Sequence, residues 1–400
     1  MAHKLFFDIT ELSIFDKGTG IQRVTKALLR TLLHEPPTDW EVIAVRGDTA
    51  SDKYLRASVY ENSLDAKSQI EVIDSAIEPN EGDIFLSVDL TYNISVSLRA
   101  ELVRFRNNGV GIYFVIYDLI PILYPDWFIG NNKWFEGNDY LELFNHWFES
   151  AVEEADGLIC ISESVESDVK SWLFKHPPLR NGLPILGHFH LGSDIGASIP
   201  TMGLPDNSSV VISNIQSSTS FLMVGTLEPR KGHELALNAF ELLWASGVKA
   251  NLIIVGRQGW RVESLVQRIT VHDQLDNQLF WLSDISDEYL RAIYKSSSVL
   301  LALSLAEGFG LPLVEAAYFN MSIIANDIPV FREICGDGAV YFDGTNAKEL
   351  SRIIQNWLDG VNVGTNPKTK TIQTLTWEAS TKQLMTVLGK MSGNSFTWIS

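Results

Sequence analysis

Two glutamates eight positions apart, Glu307 and Glu315, interrupt the strongly apolar run LALSLAEGFGLPLVEAAYFN at 301–320. A carboxylate buried without a partner carries a heavy desolvation cost, so two of them in such a run ask for a reason. Carboxylates are good acceptors for the paired hydroxyls of a sugar or a ribose. Glu307 follows a strand-like VLLALSLA and precedes the turn GFG, and Pro312 suits the first turn of a helix that carries Glu315. The spacing lets both acids point into one crevice, one at each end of a bound ligand. The plainer reading, that Glu315 sits near a helix N-terminus where its charge is favoured anyway, stays open.

A second candidate lies in FLMVGTLEPRKGHELALNAF at 221–240. A hydrophobic strand ends at Gly225, a turn carries Arg230 and Lys231, and Gly232 leads into a helix. A helix N-terminus presents unpaired N–H groups to anions, and two adjacent cations make such a turn a plausible diphosphate cradle. A solvated charged turn accounts for the same residues equally well. The GxxxxGK spacing of a P-loop is missing. In FDKGTGIQRVTKALL, 15–29, Gly18 and Gly20 loosen the loop after the first strand, but Arg23 stands where a dinucleotide fingerprint wants a small residue. That loop either lets a ligand approach the backbone or is a flexible turn.

The aromatic stretch LYPDWFIGNNKWFEGNDYLELFNHWF, 123–148, offers Trp127 and Trp134 for stacking on an acceptor sugar or for a lipid interface, or else as packing under a long loop. The HFH at 188–190 has neither an HExxH pattern nor a cysteine partner and reads as structural. Cys160 and Cys335 lack CxxC spacing and read as small buried hydrophobes of a reducing compartment.

Alternating strand and helix patterns must position these groups. KLFFDI, WEVIAV, GDIFLSV, GIYFVIYDL and DGLICIS are too continuous for one-sided strands and fit a parallel sheet buried on both faces. A second series, SFLMVGTL, NLIIVG, NQLFWLS, SVLLALS, MSIIAND and AVYFD, follows a Ser-, Gly-, Asn- and Pro-rich stretch. Helical periods run over 21–33, 141–154, 234–246, 287–296 and 313–319. The fold class is α/β, with two doubly wound, Rossmann-like parallel-sheet domains. Their expected bounds are 1–195 for the N-terminal, acceptor-side domain, 196–220 for a linker and 221–375 for the C-terminal domain, with a helical tail at 376–400.

The bulk composition agrees. Four hundred residues exceed one comfortable core, and 46% hydrophobic with 20% charged residues excludes a disordered chain. A net charge of −18 and a pI near 4.8 disfavour nucleic acid as a partner. The opening MAHKLFFDITELSIF meets acids at Asp8 and Glu11 and is no signal peptide, and no run is long enough for a membrane span. The expected location is cytoplasmic, with peripheral contact at the inner face of the membrane left open. The overall acidity opposes anionic lipid unless a local patch provides the attraction.

EGFGLPLVE resembles the Glu-x7-Glu signature of retaining family-four glycosyltransferases of GT-B architecture. In order, FLMVGTLEPRKGHELALNAF, NLIIVGRQGW, ISDEYLRAIYKSSSVLLALSLAEGFGLPLVEAA and IPVFREICGDGAVYF all resemble that family. The resemblance implies that Glu315 accepts from the ribose hydroxyls of a nucleotide-sugar. It implies that Glu307, with the backbone of Gly308, Phe309 and Gly310, holds the transferred sugar, and that Arg230 and Lys231 neutralise the diphosphate. Gly20 would let the first domain approach the donor phosphates, and Gly256, Arg257 and Leu282 would pack the nucleobase. Two departures stand out. Thr226 occupies the place of an arginine common in relatives, so Arg230 is expected to reach the same phosphate from the next turn. Tyr117-Asp118 replaces a His-Asp pair, which makes Tyr117 a donor-side and Asp118 an acceptor-side residue, with Arg23 and Trp127 also on the acceptor side.

The chemistry implied is metal-independent transfer of a hexose with retention, since no Asp-x-Asp triplet occurs in the chain. TGIQRV and VGTLEPRKG resemble members that build O-antigen, capsule or exopolysaccharide. The expected donor is GDP-mannose, no cofactor or metal is expected, and the acceptor is a glycan or lipid-linked glycan. A UDP-sugar transferase of the same fold, or a non-catalytic relative that binds glycans or partner glycosyltransferases, are the alternatives.

Overall fold

The computed structural model describes all residues except 1, 17, 65–73, 93–96, 130–138, 181, 196–202, 364–366, 368, 399 and 400. The chain divides into two compact units, Met1–Gly192 with Leu375–Ser400, and Ser193–Thr374.

The first unit is built on strands β1 His3–Asp8, β2 Trp40–Asp48, β3 Lys53–Arg56, β4 Ile84–Ser87, β5 Gly111–Ile116, β6 Gly157–Cys160 and β7 Ile185–His188. They form a seven-stranded sheet in the order β3-β2-β1-β4-β5-β6-β7. All pairs are parallel except β2 with β3. Leu5 on β1 lies opposite Val42 on one side and Ile84 on the other. All of these are buried, as expected for strands covered by helices on both faces. Tyr54, Phe85 and Phe105 form an aromatic knot in this core, with Tyr54 and Phe85 centroids 4.7 Å apart.

The second unit holds β8 Thr219–Val224, β9 Ala250–Val255, β10 Leu279–Leu282, β11 Val299–Ala302, β12 Ser322–Asn326 and β13 Val340–Phe342. Its six-stranded sheet runs β10-β9-β8-β11-β12-β13, parallel throughout. Phe221 on β8 meets Phe240 and Trp357 edge-on at 5.4 and 5.7 Å and centres the core. The strand order reverses between β8 and β11, and in the first sheet between β1 and β4. Open α/β sheets bind ligands beyond the carboxyl ends of the strands at such reversals.

Two stretches differ from the expected domain bounds. Within 196–220, read as linker, residues 208–216 form a helix, Ser208–Gln216, and β8 begins at Thr219. The helix Trp377–Ser392, read as a tail, packs against the helix Gly20–His34 and against β6 and β7 of the first unit. Its start is bridged to Gly192, and the chain beyond it lays Phe396 on Trp40 at 4.7 Å. No helix among the described residues is long and apolar enough to cross a membrane.

Candidate active site

The two segments that flank the reversal of the second sheet carry the charged residues singled out above. After β8 the chain passes through a short 3-10 turn, Pro229–Lys231, and then enters the helix His233–Ala245. After β11 it runs through 303–310 into the helix Leu311–Tyr318, with Pro312 in its first turn. The two loops are stitched together by their backbones. Leu305 N–H donates to Arg230 O at 2.8 Å, and the Arg230 guanidinium donates to Ala306 O at 2.8 Å. Gly232, at φ +76°, lets the turn lie against Leu303, since a Cβ there would come within 2.7 Å of the leucine Cβ.

The result is a compact cluster of opposite charges. The Lys231 ammonium donates to Glu307 Oε1, and Arg230 Nη1 lies 3.4 Å from Glu307 Oε2. Arg230 Nε is also 3.0 Å from Glu228 Oε2. All four side chains are largely buried. Burial by itself would raise the Glu307 carboxyl; Lys231, then Arg230, outweigh it, and with the Ser304 hydroxyl hold it at about 2. Glu307 is therefore a fixed anion, and the two cations are oriented before any ligand arrives. His233, next in the chain after Gly232, is buried, and burial with the nearby Lys231 pushes its imidazole down to about 3, so it is neutral. It shares a cavity of about 30 Å³ with Lys231, Ser304, Glu307, Gly310 and Phe331. That volume holds about one water molecule.

Glu315 is buried in the helix Leu311–Tyr318 and accepts a hydrogen bond from Tyr294 Oη at 2.7 Å. Gly308 and Phe309 are buried, and Gly310, at φ +94°, starts the helix where a Cβ would come within 2.9 Å of Leu313 and Phe331. Gly256 and Leu282 come together beyond β9 and β10, where Gly256 N–H donates to Leu282 O at 3.0 Å. A Cβ at Gly256 would stand 1.9 Å from Gly225 O, so a packing demand accounts for this glycine independently of any base. The Arg257 side chain is half exposed and ion-paired with Asp284.

In the first unit the expected residues fall at the carboxyl edge of the sheet. Thr19 and Gln22 form a capping box that starts the helix Gly20–His34 at Gly20 and places Arg23 in its first turn. Tyr117 follows β5 and is buried, which pushes its phenol far above the ordinary range. Asp118 accepts from Ile120 N–H at 2.9 Å and so caps the turn that follows. Trp127 stacks on Tyr124 at 4.4 Å and 10°, so one of its faces is already covered. Trp134 lies outside the described residues. His188 pairs with Glu166 at 2.5 Å, and the His190 N–H bonds to Gln383, the structural roles expected of that pair. Cys160 and Cys335 are buried free thiols.

Sequence reading missed several groups at these edges. Glu228 and His233 belong to the same LEPRKGH turn as the two cations, and an acid and an imidazole beside them were the available signal. Tyr294 lies 21 positions before its partner Glu315, and nothing local marks it. Asp8, at the end of β1, is wholly buried between the Thr10 and Ser87 hydroxyls; burial, with Asp89 adding, raises it to about 7. Asp89, raised by burial to about 6, accepts from Leu12 N–H at 2.6 Å and ties the short helix Thr10–Ile14 after β1 to the end of β4. Among the described residues no three His, Cys, Asp or Glu side chains group as a metal site.

The chain is similar to known proteins. Residues 210–374 match the family model Glycosyl transferases group 1. The chain is 39% identical over 387 residues to the Serotype-specific mannosyltransferase WbdA of Escherichia coli, covering 96% of this chain and 44% of that protein. It is 32% identical over 152 residues to the O-antigen chain mannosyltransferase RfbU of Salmonella typhimurium, 38% of this chain and 41% of that one. The chain thus spans less than half the length of WbdA. Among solved structures, Anabaena Alr3699/HepE in complex with UDP and glucose superposes with a TM-score of 0.61 at 16% identity, over 97% of this chain and 99% of that one. The sucrose-phosphate synthase of Thermosynechococcus elongatus gives 0.62 at 15% identity, over 98% and 100%. The chain has the GT-B fold, and it is over residues 210–374 that it resembles the glycosyl transferases group 1 family.

Proposed function

We propose that the chain is a retaining, metal-independent hexosyltransferase that moves mannose from GDP-mannose onto a glycan or lipid-linked glycan in bacterial surface polysaccharide synthesis. The observation that carries the reading is the Arg230–Lys231–Glu307 cluster at the strand-order reversal of the second unit. Departure of a nucleoside diphosphate builds negative charge on phosphate, and fixed cations stabilise it as it forms. Arg230 is held by Ala306 O and two carboxylates, so no reorganisation is needed at that moment. Lys231 starts paired with Glu307, and an arriving diphosphate competes for its ammonium. Glu307 then faces the sugar, where a carboxylate favours oxocarbenium character. Glu315 holds the ribose. The mannose assignment rests on WbdA and RfbU, both named as mannosyltransferases.

The test is turnover of GDP-mannose with a short mannoside acceptor, followed by NMR of the anomeric proton in the product. An α-linked product formed in the presence of EDTA supports the proposal. Turnover of a UDP-sugar with none of GDP-mannose would replace the donor, and a β-linked product would replace the mechanism.

A further inference from the structure

His233 opens the helix His233–Ala245 and is only 2% exposed, yet its Nδ1 is buried with no hydrogen-bond partner among the described residues. A polar atom buried without a partner is costly and rare enough in folded proteins to ask for a reason. Packing does not supply one. The cavity that this imidazole lines is walled by Met223, Leu301, Leu303, Leu313 and Phe331, where a leucine or a methionine would pack without that cost. The other polar side chains on the wall are Lys231, Ser304 and Glu307.

Lys231 has two anions to serve. It donates to Glu307 in the free chain, and an arriving diphosphate has to take it over. An ammonium that leaves its carboxylate inside a buried pocket needs another acceptor, because an unpaired buried charge is heavily penalised. A carboxylate at 233 would trap the lysine, and a hydrocarbon would leave it unsolvated. A neutral imidazole does neither: it offers one ring nitrogen as an acceptor and adds no charge. Burial, then Lys231, hold this imidazole at about 3, so it is neutral throughout the working range. We infer that His233 is a positioning residue for Lys231: its unprotonated Nδ1 accepts from one water molecule that also contacts the Lys231 ammonium, and so holds that ammonium ready to pass from Glu307 to a phosphate oxygen. The inference rests on the diphosphate-releasing reaction proposed above. A buried water needs about two to four polar partners. Nδ1, the Ser304 hydroxyl, the Glu307 carboxylate and the Lys231 ammonium line a cavity of about 30 Å³, which is the size required.

Two variants of the purified chain test this: His233→Leu, which fills the site with hydrocarbon, and His233→Asn, which returns a side-chain oxygen close to the place of Nδ1. Calorimetric titration with GDP should give a Kd about tenfold higher for His233→Leu and close to the wild type for His233→Asn. Turnover of GDP-mannose should follow the same order, with kcat down about tenfold in the leucine variant and recovered in the asparagine variant. Thermal melts should show His233→Leu at least as stable as the wild type, so its weaker binding is not a loss of fold. Nitrogen NMR of the imidazoles, with His233 assigned as the signal missing from His233→Asn, should show the neutral form protonated on Nε2 from about pH 5 to 8. GDP affinity unchanged in His233→Leu would make His233 a packing residue and overturn the inference. Equal losses in both variants, or an imidazolium or an Nδ1–H form in that pH range, would do the same. The GDP and NMR readouts need no turnover: the expected pattern in a chain that moves no sugar would support this inference and contradict the proposed activity.

Discussion

The Tyr294 hydroxyl donates to Glu315 Oε2 at 2.7 Å inside the second unit, and the tyrosine ring is itself stacked on Phe319, with centroids 5.5 Å apart. The acid proposed to grip the ribose is therefore aimed by a side chain from another helix, Asp287–Ser296, whose position is fixed by packing. Tyr294→Phe removes the donor and little else. A hydrogen bond to a charged group contributes roughly 1.5–3 kcal/mol, so the KM for the donor sugar should rise about tenfold or more while kcat changes little. An unchanged KM would reduce Tyr294 to a packing residue.

Lys231 and Glu315 should separate in steady-state kinetics. Lys231→Ala removes a cation that acts on the leaving phosphate and should lower kcat by about 10²–10³. Glu315→Ala should act on KM first, because ribose is gripped alike in ground and transition states. Equal effects of both variants on both constants would remove the division of roles.

Acid stability reports on Glu307. Its carboxyl sits at about 2 in the folded chain, below the ordinary glutamate value near 4.3. A depressed carboxylate stabilises the fold above the unfolded value, and that stabilisation is lost as pH falls from about 4.5 toward 2. Melting curves of the wild type should show this loss. Glu307→Gln should lack it and be less stable at neutral pH by about 3–5 kcal/mol, because Lys231 loses its carboxylate and Arg230 one of its two. A variant as acid-sensitive as the wild type would place the shift elsewhere.

Gly232 is the hinge on which the two charged loops meet. Gly232→Ala forces a left-handed backbone on a Cβ that would collide with the side chain and carbonyl oxygen of Leu303. It should cost at least ~1 kcal/mol of stability and lower activity by separating Arg230 and Lys231 from Glu307, checked by thermal melts and turnover. Full activity in a stable Gly232→Ala variant would show that the stitched loops are not required.

Much of the fold was readable in the chain because parallel strands buried on both faces must be written as continuous apolar runs. All eleven such runs are strands. The two missed strands break that rule for physical reasons. β3, KYLR, is an antiparallel edge strand with mixed polarity, and β7, ILGH, is an edge strand with a glycine at its centre. The destination of the last helix was unreadable because its amphipathic pattern fits either unit. Glycines 187 and 192, which make room for Met391, Val387 and Trp377, decide it only once the chain is folded. At the site, adjacent charges in one turn announced Arg230 and Lys231, whereas Tyr294 depends on a distant helix and left no local trace.

Thermal-shift titration of the purified chain with GDP, UDP and ADP tests the central claim most directly, because it asks whether the charged cluster of the second unit binds a nucleoside diphosphate. GDP should stabilise the chain by roughly 2.7 kcal/mol at a hundred times its dissociation constant, with UDP and ADP well behind. The same concentrations of all three leaving the melting temperature unmoved would contradict it.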